Sequence, residues 1–389
     1  VSTEFPTKAS VVVIGGGIIG TSIAFHLAEA GVTDVVLLEK GELAGGSTSK
    51  AAGGIRATFS SETNIHMGLR SLDAYSRFPP EIGQDIDFSR IGYLFLLSAN
   101  DDVAAFEHSV AIQNRYGIPS RMITAEEAQK HNPLISTNGL LAACWSPLDA
   151  KATPESVVLG YATAARKHGA QIIRHCAVTG IERDGRSIVA VETTRGRIRT
   201  DTVVCAAGAW SRTIGAMLDV SIPVTPIRSQ VAFMDGLKQV PCGKVPLTVD
   251  FGSGLYFHPE RNGLLLGWSD PDEPESFDCG FELDNWLTKV GEIASVRIPQ
   301  VLDCGIRTGW AGLYERTPDH NPIIGRIPGL DGLVLATGFS AHGFMMGPAA
   351  GEIVRDLYLG KKPGFDVAGF AFDRFTRADA NPMPERNVF

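Results

Sequence analysis

The sequence predicts an α/β fold, a Rossmann-like, doubly wound domain for a dinucleotide interrupted by α+β segments, on three observations. Residues 10–40 read as strand, glycine turn, helix and a second strand ending in an acid. A further strand, glycine loop and helix stand at 333–360, and between the two lie aromatic and alternating runs punctuated by hairpin turns.

Val11 to Ile14 are apolar and β-branched, as a buried strand requires, and Gly15, Gly17 and Gly20 follow in G-x-G-x-x-G spacing. The first glycine allows a tight turn, the second lets a pyrophosphate approach the backbone, and the third lets the helix from Ile18 and Ile19 pack on the strand. That helix presents free N–H groups and a partial positive charge to phosphates. Gly31 stops it, Asp34 to Leu38 form the next strand, and Glu39, followed by Lys40, arrives where a ribose needs a hydrogen-bond acceptor.

With 389 residues, 44% of them hydrophobic, the chain has ample material for a large core. A formal charge of -8 without a basic tract argues against a nucleic-acid partner. The cysteines, Cys144, Cys176, Cys205, Cys242, Cys279 and Cys304, form no C-x-x-C pair, and most lie in apolar strand-like contexts. They read as buried free thiols of a reducing cytosol, with no metal site. No apolar run reaches membrane-span length, and the first eight residues are too short and polar for a secretory signal, so the expectation is a cytoplasmic enzyme.

After Glu39 comes GELAGGSTSKAAGGIR, in which Ser47, Thr48 and Ser49 suit pyrophosphate and Gly53 and Gly54 let a ring pass close by; a surface loop is the alternative. Arg56 ends it, suited to a bidentate grip on a carboxylate or to a surface ion pair. A helix from Ser61 to Phe78 is ended by Pro79 and Pro80. Residues from about 81 to 145 read as an inserted piece, with a strand from Gly92 to Leu97, a helix from Asp101 to Tyr116, and Thr124 capping a short helix.

The nucleotide domain resumes near Asp149, with Thr153 as N-cap and Pro154 in the first turn of a helix reaching His168. QIIRHCAV, SIVAVETT and GRIRTDTVVC form an antiparallel meander around Asp184-Gly185 and Arg195-Gly196 turns. Its last strand ends in Ala206, Ala207, Gly208, Ala209 and Trp210, small residues that imply close approach to the ligand. Beyond Val220 the character changes again, with strands around Gln230 to Met234 and Leu255 to His258. Tyr256 and His258 share a strand face that lines the pocket or belongs to the core. Leu333 to Ala336 lead into Gly338 to Gly343 and a helix starting near Pro348. A helix aiming its positive end at a ligand suits a ring that becomes anionic on reduction, as a flavin does. His342 either assists there or stabilises the loop.

Taken together, the glycine motif with Glu39, GSTSKAAGGIR, VVCAAGAW, GLYERTPDHNPIIG and GFSAHGFMMGP make the chain resemble the FAD-dependent D-amino-acid oxidase superfamily, in its sarcosine oxidase and glycine oxidase branch. The resemblance implies an FAD-binding domain at 1–80, 149–219 and 307–389, and a substrate domain at 81–148 and 220–306 whose mixed or antiparallel sheet roofs the flavin. The implied cofactor contacts run through Gly15, Gly17, Ile18, Ile19, Gly20, Glu39 and Lys40, then Ser47, Thr48, Ser49, Gly53 and Gly54. They continue through Val178, Ala207, Gly208 and Trp210 to Gly338, His342, Gly343, Phe344 and Met345.

It implies oxidation of a C–N bond beside a carboxylate by hydride transfer to flavin N5, giving an imine that water hydrolyses. Arg56 falls where monomeric sarcosine oxidases bind the substrate carboxylate, and Tyr314 on an active-site tyrosine; Tyr256, Tyr314 and His342 complete the expected site. Gly312 replaces the cysteine that tethers FAD in those enzymes, so the FAD is expected to be non-covalent. Met345, Leu265 and Ser269 replace a second carboxylate-binding residue, an oxygen-activating lysine and a histidine, and Tyr314 replaces the glycine oxidases' arginine. Gly343 to Met345 is similar to β-type subunits of heteromeric sarcosine oxidases and related dehydrogenases, without their flavin-holding histidine near Ala152 and Thr153. The expected partners are a small amino acid, oxygen or another electron acceptor, and partner subunits if the chain is a dehydrogenase within a complex.

Overall fold

The computed structural model describes residues 4–237, 245–260, 262–377 and 384–388. Its first sheet has six strands in the order Ile323–Arg326, Leu333–Thr337, Val203–Cys205, Val11–Ile14, Val35–Leu38 and Gln171–Ile173. Neighbours run parallel except at the Ile323–Arg326 edge, which is antiparallel to Leu333–Thr337.

Parallel strands are covered on both faces, which is why Val11–Ile14 and Val35–Leu38 carry no polar residue and are buried throughout. Alternate side chains point to opposite faces. Val11, Val13, Val35 and Leu37 pack with the helices Ile18–Glu29, Pro154–Lys167 and Gly343–Tyr358. Val12, Ile14, Val36 and Leu38 instead meet a three-stranded antiparallel sheet, Val178–Asp184, Ser187–Thr193 and Gly196–Arg199, through Ile181, Ile188, Val191 and Ile198. Each such side chain contributes about 1.5–3 kcal/mol on full burial. The turn between first strand and first helix needs its glycines: Gly15 has φ +113°, and a Cβ on Gly20 would lie 1.9 Å from the Gly15 carbonyl oxygen.

The second large sheet has eight strands, in the order Gly305–Arg316, Thr225–Asp235, Gly263–Trp268, Leu255–Glu260, Leu247–Asp250, Tyr93–Leu97, Ala142–Ser146 and Arg121–Ile123. Leu247–Asp250 pairs parallel with Tyr93–Leu97, so segments far apart in sequence share one sheet. One face carries Leu94, Phe257, Leu264 and Leu266 against Trp286 and Val290 of the helix Leu283–Arg297. The opposite face carries Tyr93, Val231, Leu247 and Tyr256. Strand Gly305–Arg316 extends across position 306, where the sequence marks a domain boundary.

Several local expectations are corrected. Pro79 and Pro80 open a short helix, Phe78–Ile82, after Glu62–Ser76 has ended, because proline fits a first helical turn. Thr153 does not cap Pro154–Lys167 with its side chain; its hydroxyl donates to Asp87 Oδ2 at 2.9 Å. Gln171–Ile173 joins the first sheet, and the meander starts at Val178. Helix Gly343–Tyr358 begins five residues before Pro348, which lies inside it. Of the described cysteines, Cys144, Cys176 and Cys205 are buried, Cys304 is half-buried and Cys279 is exposed; Cys242 lies outside the described residues. No described helix is long and apolar enough to cross a membrane.

Candidate active site

A cavity of about 690 Å³ runs from the glycine turn to the underside of the eight-stranded sheet. At one end it is lined by Gly15, Gly17, Ile18 and Ile19, with Glu39 and Lys40 at the end of the second strand. The Glu39 carboxylate is already fixed, Oε2 accepting from Gly16 N and Oε1 from Gly41 N, both at 2.7 Å. Lys40 Nζ sits 3.4 Å from the centroid of the Trp210 ring, a cation–π contact, and burial lowers its pKa. Trp210 lines the cavity with Val178, Ala207 and Gly208.

The loop after Glu39 follows the cavity wall. Ser47, Thr48, Gly53 and Gly54 line it, whereas Ser49, Gly20 and Gly338 are absent from the lining. Thr48 Oγ1 accepts from Ile18 N at 3.2 Å, filling the place of a side-chain cap that Gly17 lacks. Ser47 Oγ donates to Leu313 O at 2.6 Å and ties the loop to Gly305–Arg316. Both hydroxyls thus serve the protein's own backbone.

At the other end lie Tyr93, Tyr256 and Tyr314, with Ser229, Val231 and Leu247. The sequence singled out Tyr256 and Tyr314; Tyr93, Ser229, Val231 and Leu247 had no signal beyond an apolar strand pattern. Tyr256 and Tyr314 hydrogen-bond to each other, and burial raises the Tyr256 phenol far above its ordinary pKa. Burial raises Tyr93 likewise. Burial thus keeps the Tyr93 and Tyr256 phenols protonated, as donors and not bases. A Cβ on Gly54 would lie 1.8 Å from the Tyr93 hydroxyl, so the loop's glycine permits that tyrosine's position. His258, on the same strand face as Tyr256, is buried away from the lining and bonded to Ala52 O and Pro259 O.

His342, Gly343, Phe344 and Met345 bring the N-terminus of the helix Gly343–Tyr358 to the cavity. His342 has no side-chain capping bond, so the first-turn N–H groups keep their partial positive charge for a ligand. Burial lowers the His342 pKa well below the ordinary range, with Arg56 adding to the effect. A neutral imidazole beside Arg56 accepts at Nε2, 3.0 Å from Arg56 Nη2, which puts its proton on Nδ1. That Nδ1 is buried without a protein partner, an orphaned donor at the ligand end of the helix.

Arg56 departs from expectation. Its side chain is fully buried and outside the lining, its guanidinium donating to Thr58 O at 2.7 Å, Asn387 O at 2.5 Å and His342. Asp149 fixes the same stretch, accepting from Ala57 N at 2.9 Å and Thr58 Oγ1 at 3.0 Å, and burial pushes its pKa up to about 6. Glu385 clasps it from the C-terminal side through Ser60, Ser61 and Asn64. Arg56 therefore reaches the cavity through its contact with His342.

The sequence positions noted as departures also have a geometry. A Cβ on Gly312 would meet Lys50 Cβ at 2.6 Å, so a longer side chain there needs Lys50 to move. Leu265 and Ser269 do not line the cavity. Asp319 and Asn321 of the TPDHN stretch are held by Arg374, whose Nε and Nη2 donate to Asp319 at 2.8 and 3.0 Å, so this motif is structural. Among the described residues no group of three or more His, Cys, Asp or Glu is placed to hold a metal ion.

A phosphate-friendly turn at one pole and an anion-favouring helix end at the other, with an orphaned donor beside it, fit a flavin dinucleotide and define the class as the flavin-dependent oxidoreductases. The chain belongs to the FAD dependent oxidoreductase family (DAO), whose profile matches residues 10–357. It is 28% identical over 390 residues to the mitochondrial sarcosine dehydrogenase of Homo sapiens, covering 96% of this chain and 42% of that protein. To the mitochondrial dimethylglycine dehydrogenase of Mus musculus it is 31% identical over 390 residues, covering 94% and 44%. The chain thus spans less than half the length of these curated relatives. Among solved structures it is similar to L-proline dehydrogenase from P. horikoshii, at 34% identity and TM-score 0.90, covering 97% of this chain and all of that one. FAD as the family's cofactor and the interrupted α/β fold are as the sequence predicts.

Proposed function

We propose that this chain oxidises the C–N bond of a small amino acid or N-alkyl glycine with FAD, giving an imine that water hydrolyses. The observation that carries the reading is the single cavity joining the glycine turn to a tyrosine-lined pocket at the helix end. When bound, FAD supplies the hydride-accepting chemistry. Glu39 would accept from the ribose, and the N-terminus of Ile18–Glu29 would hold the pyrophosphate. Gly343, Phe344 and Met345 would hold the ring through their N–H groups, and the absence of a cysteine at Gly312 supports non-covalent attachment.

Tyr93, Tyr256 and Tyr314 orient the substrate, their hydroxyls donating to its carboxylate while Val231 and Leu247 exclude water. With Arg56 turned to His342, carboxylate recognition passes to these phenols. Residues 81–148 and 220–306 supply most of this cover. Burial keeps Tyr93 and Tyr256 protonated, and the substrate amine must be neutral to expel hydride. Leu265 at the lysine position favours an acceptor other than oxygen, with a partner chain as one such acceptor, while the relatives' names include dehydrogenases and oxidases alike. The free buried thiols support a cytoplasmic location.

Turnover of N-methylglycine, N,N-dimethylglycine, glycine and proline, followed by dye reduction beside peroxide release, tests the reading. Dye reduction with little peroxide is expected. No product from any of them with either acceptor contradicts it.

A further inference from the structure

Glu315 lies near the end of strand Gly305–Arg316. Its side chain lines the cavity and reaches the point where three elements of the cofactor site converge. Oε2 accepts from Thr337 Oγ1 at 3.2 Å and Gly338 N at 3.3 Å, at the carboxyl end of Leu333–Thr337. The same oxygen lies 3.4 Å from where a Cβ would stand on Gly208, beyond the end of Val203–Cys205. Oε1 lies 3.6 Å from such a position on Gly343, the first residue of the C-terminal helix.

Among the described residues no cation pairs with this carboxyl. On its own strand Tyr314 and Arg316 point to the other face. Across the sheet its partner is Pro226. Val203–Cys205 contributes the neutral thiol of Cys205, whose own pKa burial raises to about 11. The Leu333–Thr337 strand and following loop contribute the hydroxyls of Thr337 and Ser340 and the neutral His342. Burial pushes the Glu315 pKa up to about 7, against the lowering effect of its hydrogen bonds to Gly338, Phe339 and Thr337. Glu315 and a ring that becomes anionic on reduction therefore compete for the same positive helix end.

We propose that Glu315 takes up a compensating proton when the bound flavin is reduced. A hydride carries two electrons and one proton, so its arrival leaves one added negative charge on the ring. One further proton from solvent, bound by the Glu315 carboxylate, cancels that charge; two anions at one desolvated site cannot both persist cheaply. Glu315 is thus a positioning residue for charge. The inference depends on bound FAD but not on the amino-acid substrate.

The test is the midpoint potential of the holoenzyme's flavin against pH, with dithionite as reductant so that substrate identity plays no part. Each proton taken up with two electrons adds about 30 mV per pH unit to the slope. Above pH about 7 the wild type should be steeper than Glu315→Gln by one such proton, and Glu315→Asp should restore the steeper slope. Equal slopes in wild type and Glu315→Gln overturn the inference. If Glu315→Gln does not retain FAD, the reduced-minus-oxidised infrared spectrum of the wild type at pH about 8 decides. Gain of a protonated carboxyl C=O band supports the assignment and its absence overturns it.

Discussion

The Tyr75 hydroxyl donates to the Phe344 carbonyl at 2.6 Å, the acceptor left without its helical N–H because Pro348 has none to give. Ser71 Oγ accepts from Ala349 N, at 3.3 Å, one residue further along. Helix Glu62–Ser76 therefore repairs the ladder that proline interrupts, and Gly343–Tyr358 can start at the cavity.

Tyr75→Phe should accordingly destabilise the protein by about 1–3 kcal/mol, the cost of one buried unsatisfied carbonyl. The same variant should hold FAD less tightly, since the helix end at the cavity loses its support. Urea denaturation and a flavin-fluorescence titration measure the two effects. An unchanged midpoint would show that the bond contributes nothing.

Asp149 makes stability depend on pH. Its pKa rises on folding from an ordinary 3.8 to about 6, because burial outweighs its bonds to Ala57 and Thr58. A group with a raised folded pKa contributes stability that is complete below the unfolded value and lost as pH rises through the folded one. Between pH about 4 and 6 the wild type should lose on the order of 3 kcal/mol relative to Asp149→Asn. Denaturation curves of both across that window check the sign, and parallel curves would contradict it.

The Arg374–Asp319 pair is buried and bidentate, and Glu385 N donates to Asp319 O at 3.0 Å. Asp319→Asn should cost about 3–5 kcal/mol by stranding a buried guanidinium. Calorimetry reads the loss. An effect below about 1 kcal/mol, what a surface pair gives, would contradict a buried pair.

Tyr314→Phe removes a hydroxyl from the substrate end of the cavity. If it bonds a carboxylate, kcat/KM should fall about 10- to 100-fold, the worth of a hydrogen bond to a charged group, mostly through KM if binding is uniform. A value within twofold of wild type would place the carboxylate elsewhere.

What sequence reading captured here was local. Gly15 to Glu39 disclosed its fold because each glycine and the terminal acid act within one βαβ unit, and Gly343 to Met345 because a loop precedes a helix. Tyr93, Ser229, Val231 and Leu247 escaped because they converge only when Leu247–Asp250 pairs with Tyr93–Leu97, 154 positions away by register. The hydrogen bond of Arg56 to Asn387 O had no signal in sequence, since Asn387 lies 331 residues on, in a tail without a motif. Pro348 misled because the rule that proline breaks helices assumes no one supplies the missing donor, and Tyr75 does. Glu315 sat in view within a motif, but only the desolvation around it gives it chemistry.

The account's central claim is that an amino acid in the tyrosine-lined pocket reduces the bound flavin directly. Anaerobic mixing of the holoenzyme with N-methylglycine, N,N-dimethylglycine, glycine and proline, followed by flavin absorbance in a single turnover, tests it without any acceptor. At least one should bleach the oxidised band, more slowly as pH falls and the substrate amine becomes protonated. If none bleaches it while dithionite does, the chain binds FAD without oxidising these amino acids, and the proposed function is wrong.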